Sequence, residues 1–238
     1  MSGYADVADS LPAKLSVKEL DTALADLQGE MHYEDHQTAS RVIDIVAGCT
    51  GFFSAPASAK FHLNEEHGLF RHSLGVTYRL FALDEAYNLI DDYGRLELFL
   101  AGLLHDLGKA GQVRLETAPG AGPQVILGST IYHTYCEPYY IKKFFKTKPG
   151  EFEYKRNPER VGMSIPMSSL HFIGTVLSDV WKPSIAAWQA IGYHDGMYVP
   201  EGDHTKHSET KLLLALHQAD MFQSRVEGEW ATGSGWFG

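Results

Sequence analysis

Phe99-Leu-Ala-Gly-Leu-Leu-His-Asp-Leu-Gly-Lys-Ala110 decides how this chain is read. An apolar helical run ends in His105, Asp106 and Lys109, where a buried helix end normally avoids polar side chains. Burying an imidazole or a carboxylate without a partner costs several kcal/mol, on the order of 2–7 for a neutral polar group and more for a charge. Metal coordination removes that cost. The dipeptide alone is weak evidence, because His194-Asp195 repeats it. Its weight comes from further candidate ligands spread along the chain, His72 upstream and His171, His194 and Asp220 downstream, each on or beside an expected helix. The competing reading of any one of them is a core histidine bonded to the backbone.

Outward from that stretch the chain reads as helices. Ser16 caps a helix through Val17, Leu20, Leu24 and Leu27, and a second apolar block spans Thr38 to Ala47. Residues 1–15 lack periodicity and read as a loose start, and residues 50–68 as loop. His72, Val76, Leu80 and Leu83 share one helical stripe. Ser168 or Ser169 caps the helix carrying His171, and Pro183 opens the one that ends at His194. A last helix, Ser208 to Val226, brings Leu213, Leu216, His217 and Asp220 to one side, with His217 expected to support Asp220 rather than ligate. Loop histidines His204 and His207 read as ordinary surface residues.

Two stretches break the helical pattern. Gln112-Val-Arg-Leu and Gln124-Val-Ile-Leu flank the turn cluster Pro119-Gly-Ala-Gly-Pro123 and fit a small β-hairpin, with His133 just beyond as a candidate substrate contact. Residues 139–160 are the one basic region, with Lys142, Lys143 and Lys146 as candidate phosphate contacts. The plainer reading of that region is the solvated face of a helix and loop.

The 238 residues support one domain, with a net charge of −10 that disfavours holding duplex nucleic acid by general electrostatics. Small phosphorylated partners remain compatible, because local cations and a metal override the average field. Cys49 and Cys136 imply no disulfide framework. No apolar run approaches the ~20 residues of a membrane helix, and residues 1–10 carry no secretory pattern, so the expected location is the cytoplasm.

With those residues in place, the order His72, His105-Asp106, His171, His194-Asp195, Asp220 resembles the HD superfamily of metal-dependent phosphohydrolases. Gly68-Leu-Phe-Arg-His-Ser-Leu-Gly-Val76, Ala101-Gly-Leu-Leu-His-Asp-Leu-Gly-Lys109 and Leu214-Ala-Leu-His-Gln-Ala-Asp220 are similar to motifs of its exoribonuclease and relaxase-associated branch. The likeness covers roughly residues 60–226. It implies an all-α helical bundle with room for the small hairpin, preceded by a helical extension over residues 1–59 packed on the core and followed by a Gly-rich tail, 227–238. It also implies two divalent ions, drawn from Mn, Fe, Co, Ni, Zn or Mg. His72, His105, Asp106 and Asp220 would hold one, and Asp106 would bridge to a second on His171 and His194. Asp195 stands where relatives often carry a second histidine, a departure that bears on the second site. Asp106 and Lys109 are the expected catalytic residues. The implied activity is hydrolysis of a nucleotide or deoxynucleotide, against a phosphodiesterase on cyclic nucleotides or short single strands, and against a non-catalytic nucleotide-binding module. Such helical domains often pair as homo-oligomers, but no stretch of this sequence specifies an interface.

Overall fold

Every residue of helix α4 (Gly68–Ala82) from Gly68 to Phe81 is buried. A helix enclosed on all sides belongs at the centre of its domain, and three helices surround it: α1 (Tyr4–Ser10), α7 (Arg95–Leu104) and α10 (Lys211–Thr232). Its polar residues therefore all need partners or a purpose. This computed structural model describes residues 3–11, 16–60, 63–117, 122–146, 148, 150–196, 203 and 205–232.

Helices α2 (Val17–Gly29) and α3 (Tyr33–Cys49) precede α4, and the short α5 (Asp84–Tyr87) and α6 (Leu89–Tyr93) lead into α7. Helices α8 (Ile165–Val176) and α9 (Ile185–Tyr193) precede α10. One apolar core joins them, from Ala8 and Leu11 through Leu20, Phe70 and Leu104 to Leu216 and Ala219. Residues 1–59 thus contribute to the same core as the rest. The loose start expected over 1–15 is corrected by α1, whose Ala8 is buried and whose Asp9 pairs with Arg79 of α4. The boundary set at residue 226 falls inside α10. No helix among the described residues is long and apolar enough to cross a membrane.

Local signals account for several helix starts. Ser16 and Glu19 form the reciprocal capping box that fixes the start of α2. Ser164 caps α8 and Pro166 sits in its first turn, so Ser168 and Ser169, expected as caps, are instead buried inside the helix. Ser184 caps α9 and Pro183 lies just before the cap. Helix α7 ends at Leu104, and Leu107–Lys109 form a separate 3-10 turn with Asp106 as its N-cap.

The all-α expectation is overturned: the chain is mixed α/β, with five strands in two antiparallel sheets among the described residues. Strands β1 (Gln112–Glu116) and β2 (Gln124–Leu127) do not form the expected hairpin. Both pair with β3 (Thr130–Glu137), in the order β1-β3-β2. Strand β3 is rich in Thr, Ile and Tyr, which favour a pleated half-exposed surface, but only its Thr134 is buried, so it lacks the apolar alternation that marks a strand in sequence. Residues 139–160, read as helix and loop, contain a second hairpin, β4 (Tyr140–Phe144) with β5 (Phe152–Arg156). The Pro119 turn cluster lies largely outside the described residues.

Candidate metal centre

Three histidines reach one point by two devices. His105 and His194 are the C-cap residues of α7 and α9. Each turns its ring back so that Nδ1 meets a carbonyl three residues earlier, His105 to Gly102 O at 2.7 Å and His194 to Ile191 O at 2.8 Å. A carbonyl only accepts, so each Nδ1 carries its proton. The same bonds satisfy helix-end carbonyls that have no intrahelical donor. His72 lies in the middle of α4, where its Nδ1 donates to Glu227 Oε2 of α10 at 2.9 Å. In all three rings Nε2 faces the interior, and the rings are fully or almost fully buried.

Two carboxylates face those nitrogens. Asp106 Oδ2 lies 3.5 Å from both His72 Nε2 and His105 Nε2, and its Oδ1 lies 3.5 Å from His194 Nε2. Asp220 Oδ1 lies 3.1 Å from His72 Nε2 and 3.9 Å from His105 Nε2. With Nδ1 protonated, neutral imidazoles would present lone pairs to carboxylate lone pairs. That arrangement needs positive charge between them, from protons or from a metal.

The proton affinities follow. Burial opposes charge on His72, but the Glu227 and Asp220 carboxylates outweigh it and push its pKa up to about 10. Burial likewise opposes charge on His194, and Asp106 outweighs it, giving about 9. Asp106 is held well below the carboxylate range because Lys109 and His105 outweigh its burial. Asp220 is lowered in the same sense, chiefly by His72 against its burial. Lys109, partly buried and paired with Asp106, is raised, the carboxylate outweighing its desolvation.

The geometry fits a metal ion. Metal bonds of ~2.0–2.2 Å to nitrogen and oxygen put ligand atoms about 3.0–4.3 Å apart, and the nitrogen–oxygen distances here run from 3.1 to 3.9 Å. Buried His105 Nε2 makes no hydrogen bond. The candidate ligand atoms of His72, His105 and Asp106, and those of His105, His194 and Asp220, lie within 4.8 Å of one another. These buried His and Asp residues can therefore hold a metal ion. Three imidazoles and two carboxylates without a thiolate suit borderline divalent metals.

The expected residues do not all join. His171 is exposed on α8, whose inner face is made of Ser168, Ser169, Phe172, Ile173 and Val176. Among the described residues His171 belongs to neither close donor group, whereas His194 falls in one with His105 and Asp220. Asp195 lies at its rim, 53% exposed, with Oδ1 3.8 Å from His194 Nε2. His217 donates to the His194 carbonyl at 2.7 Å, so it supports His194 and not Asp220. His133 sits on β3 between Glu116 and Gln124. Lys142 and Lys143 are on β4, with Lys146 just beyond, all exposed. His207 is exposed, and His204 lies outside the described residues.

Comparison with known proteins leaves the site to be read on its own chemistry. No family model, curated protein or solved structure matches the chain.

Two supporting groups escaped sequence reading. Glu227, 1% exposed, orients His72 and accepts from Gln223 Nε2 at 3.0 Å, while Gln223 Oε1 accepts from Arg79 Nε at 2.6 Å. The signal was available, since Asp220, Gln223 and Glu227 fall three and four residues apart on one stripe of α10. Ser169 is the other. Its Oγ donates to His105 O at 2.9 Å and accepts from Gly108 N at 2.8 Å, clamping the turn that carries Asp106.

Proposed function

We propose that this chain is a metal-dependent phosphohydrolase of HD type acting on a nucleotide or deoxynucleotide. The observation that carries the reading is the convergence of three imidazole Nε2 atoms, each with its Nδ1 proton fixed by a bond on the far side, onto Asp106 and Asp220. The motif resemblance around His72, His105-Asp106 and Asp220 supports the same assignment.

His72, His105, Asp106, His194 and Asp220 would hold the ion. A divalent ion there supplies Lewis acidity toward a phosphoryl oxygen and lowers the pKa of water toward about 7. Glu227, Gly102 O and Ile191 O keep the imidazoles in the tautomer that ligation requires. Lys109, paired with Asp106, presents its ammonium to a non-bridging phosphate oxygen as charge develops there. Asp195, the exposed carboxylate at the rim, accepts the proton of the attacking water.

A second reading is a phosphodiesterase on cyclic nucleotides or short single strands, favoured by the basic, aromatic hairpin β4–β5. A chromatographic product assay with Mn²⁺ against deoxynucleotides, ribonucleotides, cyclic nucleotides and a short RNA decides between them. Nucleoside or nucleotide released from mono- or triphosphates supports the first, and cleavage confined to cyclic or oligomeric substrates supports the second. Silence with metal bound would favour a nucleotide-binding module. Asp106→Ala should abolish turnover, and an unchanged rate in a folded, metal-loaded variant would sink the hydrolase assignment.

A further inference from the structure

Residues 139–160 carry seven Lys and Arg against three Glu, a surplus of four in a chain of net charge −10, so the rest of the chain stands at −14. The positive charge is concentrated on the hairpin β4–β5 and its root. Residues directly opposite in an antiparallel pair share a face, and here the opposed pairs are Tyr140 with Arg156, Lys142 with Tyr154, and Phe144 with Phe152. One face of the hairpin is thus a ladder of aromatic rings and cations.

The rings are contiguous and interleaved with charge. Phe152 lies 5.7 Å from Phe144 and 5.3 Å from Tyr154, centroid to centroid, and Lys142 Nζ sits 4.8 Å from the centroid of Phe152. At the outer end Phe144 is 63% exposed and Phe152 40%. The inner end adjoins the metal centre. Tyr140 lies within the electrostatic reach of Lys109 and Asp106. Gly111, two residues after Lys109, approaches the Glu137 carbonyl so closely that a Cβ there would lie 2.5 Å from it. The root is clamped as well, since Arg160 stacks 4.2 Å from the Tyr139 centroid and donates to Ser168 of α8 at 3.1 Å.

We propose that this hairpin face binds single-stranded nucleic acid, stacking bases on Phe144 and Phe152 and leading the strand past Lys142 and Tyr140 to the His–Asp cluster. The inference rests on the second, phosphodiesterase reading, in taking a phosphodiester as what reaches the cluster. Rings alternating with cations match the alternation of bases and phosphates, and stacking tolerates any base because every base has a π face. An anionic membrane would also attract an aromatic tip with lysines, but it would make no use of a ladder that continues inward to the metal centre.

The test is fluorescence anisotropy of the full chain as purified with a labelled decathymidylate carrying hydrolysis-resistant phosphorothioate linkages. We expect saturable binding whose log–log salt slope is about −2, as for three phosphates neutralised by Lys142, Lys146 and Arg156 at about 0.7 each. The double variant Phe144→Ala/Phe152→Ala, exposed positions whose loss leaves the core intact, should weaken binding at least about 10-fold. Lys142→Ala should lower the slope by about 0.7. An abasic oligomer of the same charge should bind as weakly as the double variant. Equal binding of the abasic and base-bearing oligomers would overturn the proposal, as would absence of strand binding. So would phosphatidylserine vesicles binding through Phe144 and Phe152 while the strand does not. Because binding is read without turnover, strand binding by a hydrolytically silent protein rejects the phosphohydrolase reading alone. Mononucleotide hydrolysis without strand binding rejects this proposal alone.

Discussion

Gly102→Ala tests how the crossing of α4 and α7 sets the metal centre. A Cβ added at Gly102 would lie 2.8 Å from Thr77 Oγ1 and 2.9 Å from Thr77 Cα. Ordinary carbon contacts sit at about 3.5–4.0 Å. Thr77 cannot turn aside freely, because its hydroxyl donates to Ser73 O at 2.7 Å and the residue is fully buried. The helices must separate by several tenths of an ångström. Overpacking of this kind costs about 1–3 kcal/mol, and the better helix propensity of alanine returns up to about 1 kcal/mol. The expected net loss, with that full return, is about 0–2 kcal/mol, or up to roughly 8 °C in Tm for a domain of this size. His105 is anchored to the Gly102 carbonyl and His72 lies on α4, so divalent-metal affinity should fall with stability. Urea denaturation and chelator competition read the two effects. Gly48→Ala is the control: its Cβ meets nothing within 4 Å, and it should stabilise by about 0.4–1 kcal/mol. If Gly102→Ala proves as stabilising as Gly48→Ala, the close crossing of the two helices is refuted.

Three further outcomes follow from the site. His105→Ala should reduce metal affinity at least 100-fold while His171→Ala leaves it within about twofold, since only the former lies in the buried cluster; equal effects in equilibrium dialysis would contradict that geometry. Metal must displace the protons that His72 and His194 hold up to about pH 10 and 9. Their folded pKa values are raised, so those protons are bound below that range and lost as pH rises through it; calorimetry in buffers of different ionisation enthalpy should find one to two protons released per ion at pH 8 and a release approaching zero above pH 10. No release at pH 8 would show that the imidazoles are neutral without metal. Ser169→Ala, which removes the hydroxyl bonded to both His105 O and Gly108 N, should cost about 1–3 kcal/mol in denaturant, and a loss below 0.5 kcal/mol would mean the turn holds itself.

Much of the helical frame was legible because its signals are local. The Ser16–Glu19 capping box and the stripe through His72, Val76 and Leu80 depend only on residues within a turn or two of each other. Strand β3 was not legible, because it lies between two partners with little of it buried, which leaves hydrogen bonding and not apolar alternation to define it. Glu227 was missed because the last helix was expected to stop at Val226, one residue before it, whereas α10 runs on to Thr232.

The residue types of the candidate centre were fixed by sequence alone: the placement of His72, His105, Asp106, His194 and Asp220 at helix stripes or helix ends follows from periodicity and end signals that act over a few residues. The tertiary fold decided which of them meet. His171 has the same chemistry as His194, yet the face of α8 that packs inward presents Ser169 and leaves the imidazole in solvent, whereas the end of α9 points His194 at Asp106. Which side of a helix becomes its interior depends on the neighbours it packs against. Those neighbours are distant in sequence, and so the order of residues alone does not say which histidines meet.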